Sequence, residues 1–293
     1  MRKKIFLIIN GLLILSFISS CHFMPSNEIY KVEFNVTESE YSNYDFVFSD
    51  YKKNNYLDSL RKEFKIDSLI LNANTDLQKA LIILDWSSKR WEHSGSNTPE
   101  NSDAISILNE AKTGQNFRCV EYSIVLSSSL KSIGIPARII GLKVKDVGST
   151  LAGAGHVAVE AYLYELNKWI FLDGQMNYIP FLNNNPLNAV EFRNVITSDK
   201  KQLELRSIDG KVSEEDTKLI LDWIAKYLFY FDTTFDNREG KVTEKITYKG
   251  KSKLMLVPNG AENPERFQVF GSINNMLYTH NLKDFYKKPK VIE

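Results

Sequence analysis

Apolar residues recur at helical spacing in three stretches of the chain between residues 74 and 134. The first begins at a capping sequence, Asn74-Thr75-Asp76, and predicts a helix that ends near Trp91. The second predicts a helix over residues 103–111, capped by Ser102. The third predicts a helix that ends at Gly134, the usual residue for a helix C-terminus. The face of this third helix consists of Tyr122, Val125, Leu126, Ser129, Leu130 and Ile133.

Beyond residue 136 the apolar period changes from helical spacing to the alternation of a strand. This pattern predicts strands over residues 137–144, 156–164 and 169–173. A Gly-rich loop over 145–155 and a turn over 165–168 separate them. We therefore predict an α+β fold in which the third helix packs on an antiparallel sheet.

The C-terminal third also contains a helix signal and a hairpin signal. Ser213 begins the pattern of a capping box, which predicts a helix that continues to about Leu228. Residues 241–258 predict a hairpin that turns at Gly250. We expect this helix and these strands to extend the central domain or to form a small appended module.

The first twenty residues have the pattern of a secretory signal. Basic residues precede an apolar run over residues 5–17, which is too short for a membrane span. The following Ile18-Ser19-Ser20-Cys21 resembles a bacterial lipobox, which implies cleavage before Cys21, lipidation of its thiol, and anchoring to a membrane of the cell envelope. The predicted segments are a signal peptide at 1–20, a tether and N-terminal segment at 21–73, a core domain at 74–200 and a C-terminal extension at 201–293.

Composition excludes several classes of protein. The chain has 293 residues, of which 43% are apolar and 25% charged, as in an ordinary globular protein rather than a disordered chain or coiled coil. Its net charge is +1 and it has no dense run of Lys or Arg, so we predict no nucleic-acid partner. Its four histidines lack the spacing of a metal site, so we predict no metal and no cofactor. We expect a monomer.

The two cysteines are too few for a disulfide scaffold, and the second has a notable position. Cys119 begins the third predicted helix, where unpaired N–H groups and the helix dipole favour a thiolate. A buried core cysteine is the alternative interpretation. His156 begins one predicted strand and Asp173 ends the next, and the parity of an even-numbered turn directs both side chains to the same face. A symmetric turn over 165–168 would pair Asp173 with Glu160, about 13 Å from His156. Bringing the two together would then require a bulge or an uneven turn.

A thiol at a helix N-terminus followed by a histidine and an aspartate is typical of a nucleophile, a base and an orienting carboxylate. Four blocks in this order closely resemble the transglutaminase-like superfamily: Arg118-Cys119-Val120-Glu121-Tyr122, Gly134-Ile135-Pro136-Ala137-Arg138, Gly155-His156-Val157-Ala158-Val159-Glu160 and Lys168-Trp169-Ile170-Phe171-Leu172-Asp173. The resemblance implies a papain-type core with Cys119 as nucleophile, His156 as general base and acid, and Asp173 as the residue that orients it. The chain departs from the family pattern at Ala158, where an aromatic residue is common, and at Gly174, where proline is common.

The same resemblance implies an enzyme that forms a thioester with a peptide or protein amide. We favour hydrolysis. The alternatives are an amine-accepting cross-linking transglutaminase, an amidase like the peptide N-glycanases, whose motif the Cys119 block also resembles, and a noncatalytic peptide- or glycan-binding lipoprotein. An oxyanion donor is needed besides the Cys119 N–H, and Gln115 and Trp91 are the candidates. Otherwise Gln115 is a polar residue at a helix entry, and Trp91 is a core aromatic.

Overall fold

A computed structural model describes residues 24–37, 43–198 and 200–293 of the chain. The predicted signal peptide and the predicted lipidation site, Cys21, lie outside these residues. Within the described ranges, none of the helices has the length and apolar character needed to cross a bilayer.

The helices follow the apolar pattern of the sequence closely. Thr75 caps the first predicted helix by accepting a hydrogen bond from the Gln78 N–H, and that helix ends at residue 88 rather than near Trp91. Asp103, not Ser102, caps the second, because its carboxylate accepts two N–H groups of the first turn. The helix bounds are α1 Asn55–Glu63, α2 Ile66–Leu69, α3 Asp76–Ser88, α4 Ala104–Lys112, α5 Cys119–Ser132, α6 Ala189–Ser198, α7 Glu214–Ile224 and α8 Leu282–Phe285.

A six-stranded sheet forms the centre of the molecule, with the strand order β13-β10-β9-β2-β3-β4. Its neighbouring strands are antiparallel, except that β10 and β13 are parallel. The strand bounds are β1 Phe46–Ser49, β2 Ala137–Lys143, β3 Gly155–Leu163, β4 Lys168–Leu172, β5 Ile179–Leu182, β6 Asn185–Pro186, β7 Leu203–Ser207, β8 Gly210–Lys211, β9 Tyr230–Thr234, β10 Lys253–Leu256, β11 Arg266–Phe267, β12 Gly271–Ser272, β13 Met276–Thr279 and β14 Pro289–Ile292.

Helix α5 packs on this sheet and shares one apolar core with it. Val125, Leu126 and Leu130 of the helix lie in the same buried cluster as Val159 and Leu172 of β3 and β4. A second cluster contains other residues of β2, β3 and β4 together with residues of β9, β10, α6 and α7. The α+β fold with a helix on an antiparallel sheet is therefore confirmed.

The C-terminal strands extend the central sheet. Strand β9 lies between β2 and β10 and is antiparallel to both, so β10 pairs with β9 rather than with a hairpin partner at 241–247. The predicted hairpin over 241–258 is correct at its turn, where Tyr248 and Lys251 form an antiparallel bridge across Lys249 and Gly250, which have φ values of 48° and 70°. Its first strand is wrong, because residues 241–247 are irregular and mostly exposed. Residues 241–247 lack a continuous apolar face, whereas β9 offers a buried one.

Candidate active site

The N-terminus of helix α5 positions Cys119. Cys119 is the first residue of the helix and is half-buried. Glu121 reaches back to accept the Arg118 N–H at 3.1 Å and also binds the Arg118 guanidinium at 2.7 Å. Glu121 thereby satisfies an N–H group at the helix start and fixes the backbone that carries the thiol. The predicted start of this helix is confirmed.

His156 and Asp173 meet because the turn between their strands starts one residue earlier than predicted. The turn occupies residues 164–167, with Asn167 in the left-handed region at φ 50°, and Leu163 pairs with Lys168. Moving a symmetric turn by one residue moves the pairing by two, so the register that pairs Val159 with Leu172 would, if continued, place Asp173 opposite Ala158 instead of Glu160. The expectation that a bulge or an uneven turn is required was wrong.

Asp173 is fully buried and uses both carboxylate oxygens. Its Oδ2 lies 2.9 Å from Nε2 of His156, and its Oδ1 accepts the N–H groups of Gln175 and Met176 at 3.0 Å each. Gly174 leaves room for helix α5, since a Cβ at this position would lie 3.3 Å from the Leu126 side chain. The close approach of helix α5 therefore gives a physical reason for glycine at this position.

The surroundings of His156 favour its protonated form. Burial lowers the pKa of His156, but the Asp173 charge, the hydrogen bond with Asp173 and the hydrogen bond with Cys119 raise it, and the net pKa is about 9. Because Nε2 faces Asp173, Nδ1 is the ring nitrogen left for Cys119. The site can therefore hold a proton on the imidazole beside the sulfur at neutral pH.

The two candidate oxyanion donors lie in different environments. The Trp91 ring is nearly buried and lies 4.4 Å from the Tyr122 ring, one helical turn after Cys119. Its Nε1 is buried and has no hydrogen-bond partner among the described residues. Gln115 is exposed, and its Oε1 accepts a hydrogen bond from Asn97 at 3.3 Å. Both assignments stay predictions, and the unpaired Trp91 N–H is the donor with unused capacity.

Two aromatic residues of the C-terminal region complete the surroundings of His156, and neither was predicted from the sequence. Trp223 of α7 lies edge-on to the imidazole, with ring centroids 4.7 Å apart, and Tyr227 lies 6.1 Å away. Their spacing of four positions on a predicted helix was the available signal, because such residues share a face. Which residue that face would contact could not be read from the sequence.

The site has no counterpart of a metal centre. Across residues 24–37, 43–198 and 200–293, no group of three or more His, Cys, Asp or Glu side chains could hold a metal ion. The candidate site brings a thiol, an imidazole and a buried carboxylate into contact in the order Cys119, His156 and Asp173, a set that suits nucleophilic catalysis.

Comparison with solved structures finds chains of low identity. A "Putative Cysteine Protease" from Cytophaga hutchinsonii is 18% identical, with a TM-score of 0.33 over 52% of this chain and 47% of its own. A "Putative Protease" from Parabacteroides distasonis is 15% identical, with a TM-score of 0.31 over 55% of this chain and 28% of its own. LapG of Legionella pneumophila is 16% identical, with a TM-score of 0.29 over 58% of this chain and 88% of its own. The chain thus spans less than half the length of the first two.

Comparison with curated proteins finds no match. The model of the Transglutaminase-like superfamily matches residues 65–174. This range contains helix α5, strands β2 to β4 and all three residues in contact at the site. It supports a cysteine-dependent type of enzyme. Residues 65–174 of this chain therefore match the Transglutaminase-like superfamily, and the same residues lie in an α+β core.

Proposed function

We propose that the protein is a cysteine-dependent acyl-transfer enzyme that acts on peptide or protein amides, with Cys119 as nucleophile, His156 as general base and acid, and Asp173 as the orienting carboxylate. The observation that carries this proposal is the 2.9 Å contact between Nε2 of His156 and the buried Asp173 carboxylate, on a histidine that also bonds Cys119. A thiol beside a histidine that a carboxylate holds in place has the geometry of an activated nucleophile.

The reaction begins when the Cys119 thiolate attacks the amide carbonyl and the negative charge moves to the oxygen. The Cys119 N–H and a second donor stabilise that oxyanion, and Trp91 Nε1 and Gln115 are the candidates. As the C–N bond breaks, the protonated His156 delivers its proton to the leaving amine. The products are the free amine and a thioester on Cys119.

The second half of the reaction decides between hydrolysis and cross-linking. Neutral His156 takes a proton from water, the resulting hydroxide attacks the thioester, and the acid is released with the thiolate restored. We propose hydrolysis as the outcome, in keeping with an envelope protein. An incoming amine in place of water would give cross-linking, and a glycosylated asparagine amide as substrate would give the N-glycanase-like reaction. Mass analysis of a peptide library incubated with the protein separates these outcomes: cleavage, deamidation, or loss of ammonia with joining.

His156→Ala is expected to remove the enhanced reactivity of the Cys119 thiol. At pH 7 we expect iodoacetamide to alkylate Cys119 of the unaltered protein faster than a model thiol, by roughly tenfold, because an adjacent imidazolium favours the thiolate. His156→Ala should return the rate to that of the model thiol, measured by mass spectrometry of the Cys119 peptide. His280→Ala, which alters a histidine outside the site, is the matched control and should keep the faster rate. Equal rates for the unaltered protein and His156→Ala would reject the proposal.

We also propose that Cys21 carries a lipid that holds the protein at a membrane of the cell envelope. The support is the sequence pattern of residues 1–21. Cys21→Ser should move the protein produced in a bacterial host from the membrane fraction to the soluble envelope fraction, as followed by immunoblotting. Cys119→Ser is the matched cysteine control and should stay with the membrane. Unchanged membrane association of Cys21→Ser would contradict lipidation at this residue.

A further inference from the structure

Helix α7 and the 3₁₀ turn after it present a row of apolar side chains that ends at His156. Leu219, Trp223 and Tyr227 are four positions apart, so they follow one face of the helix. Along this row the exposure of the residues falls in steps: Leu219 is 62% exposed, Trp223 is half-buried and Tyr227 is 7% exposed. The row therefore leads from the surface to the centre of the site.

Ring contacts join the inner two members of the row to the imidazole. The Trp223 and Tyr227 rings are 5.2 Å apart, and Trp223 lies 4.7 Å from the His156 ring, nearly perpendicular to it. Burial, and then the charge of Cys119, raises the pKa of Tyr227, which is consistent with a position beside the thiol as well. The row is thus continuous with the residues to which we assign the chemistry.

The outer member of the row is an exposed apolar residue on a helix with many charged side chains. Lys218 and Asp222 flank Leu219 and pair with each other at 2.6 Å. Glu214, Glu215 and Asp216 fill the first turn of the helix. A single exposed leucine is ordinary on a protein surface. Leu219 differs because it continues the aromatic pair Trp223 and Tyr227 outward, so an apolar group lying along the helix could contact all three side chains.

The chemistry of His156 decides which part of a substrate meets this row. The imidazolium must reach the nitrogen of the leaving amine to protonate it, so the leaving group lies on the side of His156. Trp223 packs against the imidazole, and Leu219 lies one helical turn before Trp223. Both residues are therefore on the side of the leaving group and not on the side of the acyl group.

We propose that Leu219, Trp223 and Tyr227 form a subsite for an apolar side chain carried on the leaving-amine side of the scissile amide. This inference rests on the proposed function of Cys119 and His156. It names the substrate class as polypeptides in which an apolar residue follows the attacked carbonyl. In a cross-linking reaction the same row would receive an apolar acceptor amine. A hydrophobic pocket of this kind typically changes specificity by about tenfold to a hundredfold.

Vinyl sulfones test the subsite in a single covalent step that needs no natural substrate. Cys119 Sγ adds to the terminal alkene carbon and forms the S–C bond. The alkene π electrons move to the carbon bonded to the sulfone, and this carbon takes the proton from His156. The sulfone substituent therefore lies beyond the position where His156 delivers its proton, on the leaving-group side. We compare phenyl vinyl sulfone with methyl vinyl sulfone and divide their rate ratio by the same ratio for glutathione.

We expect the phenyl-to-methyl rate ratio of the unaltered protein to exceed the same ratio for glutathione by about tenfold. Leu219→Asp should lower it to within about threefold of glutathione, since a charge at this position opposes an apolar substituent. Leu71→Asp is the matched control: Leu71 is an exposed leucine in the turn after helix α2, and its variant should keep the ratio of the unaltered protein. Because the ratio is taken within each variant, a change in general thiol reactivity cancels.

Three results would overturn the subsite: a ratio in the unaltered protein equal to that of glutathione, no loss in Leu219→Asp, or an equal loss in Leu71→Asp. Circular dichroism melts confirm that both variants fold, as expected for changes at exposed positions. Failure of the proposed function is a separate result, because it appears as iodoacetamide rates that do not depend on His156. The subsite can therefore be rejected while the nucleophile and base are retained.

Discussion

Replacing Asp173 by Asn is expected to lower the pKa of His156 from about 9 towards or below its ordinary value of 6.5. Burial lowers the pKa of this histidine, and the negative charge of Asp173 is the largest effect that opposes it. An amide at position 173 keeps much of the shape but removes the charge. NMR titration of ¹⁵N-labelled histidine, with the His156 signal assigned from a His156→Ala spectrum, measures the shift.

The same replacement is expected to reduce amide turnover by a factor on the order of 10⁴, the scale seen when a triad carboxylate loses its charge. Above its lowered pKa, neutral His156 has no proton to deliver to the leaving amine. Turnover by the unaltered protein should itself fall above about pH 9, while alkylation of Cys119 should not, because alkylation needs the thiolate and no proton donor. The alkaline limb of the turnover profile should move to lower pH in Asp173→Asn.

The raised pKa of His156 also predicts how stability depends on pH. A group with a pKa higher in the folded than in the unfolded state binds its proton more tightly when folded. Its stabilising contribution is therefore complete below pH 6.5 and is lost as the pH rises from 6.5 through about 9. Urea unfolding across this window should show a declining free energy of unfolding in the unaltered protein and a flatter profile in Asp173→Asn.

Asp209→Asn is the matched control for these measurements, since Asp209 is exposed in the turn between β7 and β8. It should leave the His156 titration, the turnover profile and the stability profile unchanged. An Asp173→Asn variant whose His156 still titrates near pH 9 would show that the carboxylate does not set the protonation of this histidine.

Replacing Arg138 by Met is expected to lower the free energy of unfolding by about 3–5 kcal/mol, the usual cost of breaking a buried ion pair by removing one partner. Arg138 on β2 pairs with Glu160 on β3, with 2.7 Å between Nη2 of Arg138 and Oε2 of Glu160, and both side chains are fully buried. Its guanidinium also donates to the Phe285 carbonyl and lies 4.3 Å from the Trp169 ring centroid. Methionine fills part of this space but leaves Glu160 without its cationic partner.

Glu160 also joins other elements to the sheet. Its Oε1 accepts the Ala189 N–H at the start of α6 and the Tyr286 hydroxyl. Urea unfolding of Arg138→Met, Glu160→Leu and the double variant forms a cycle, and the double variant should lose less than the sum of the two single losses. Lys62→Met, which breaks the exposed pair with Asp58, is the control and should leave the urea midpoint nearly unchanged. Additive losses in the cycle would contradict a coupled pair.

The apolar pattern of the sequence predicted correctly those helix ends and strands that depend on neighbouring residues. The cap at Thr75, the start of α5 at Cys119 and the strand pattern after residue 136 all follow from neighbouring residues. The choice between Ser102 and Asp103 as a cap was missed, because both residues are good caps and only the chain path selects one.

The predictions of a first hairpin strand at 241–247 and of the register of β3 and β4 were wrong for a different reason. Both depend on which strands or turn residues pair, and several pairings fit the same alternation. Strand β10 pairs with the buried strand β9 instead of with residues 241–247. The turn between β3 and β4 begins one residue earlier than predicted, which moves Asp173 two positions closer to His156. Sequence parity was correct for the shared face of these two residues and insufficient for their distance.

The sequence by itself determined the fold class and named Cys119, His156 and Asp173, because helix ends, alternation and short motifs are encoded by neighbouring residues. The tertiary structure alone decided that Asp173 lies within hydrogen-bonding distance of His156, and that Trp223 of α7 lies against the imidazole. These contacts join residues far apart in the chain, and close packing of the whole core selects them.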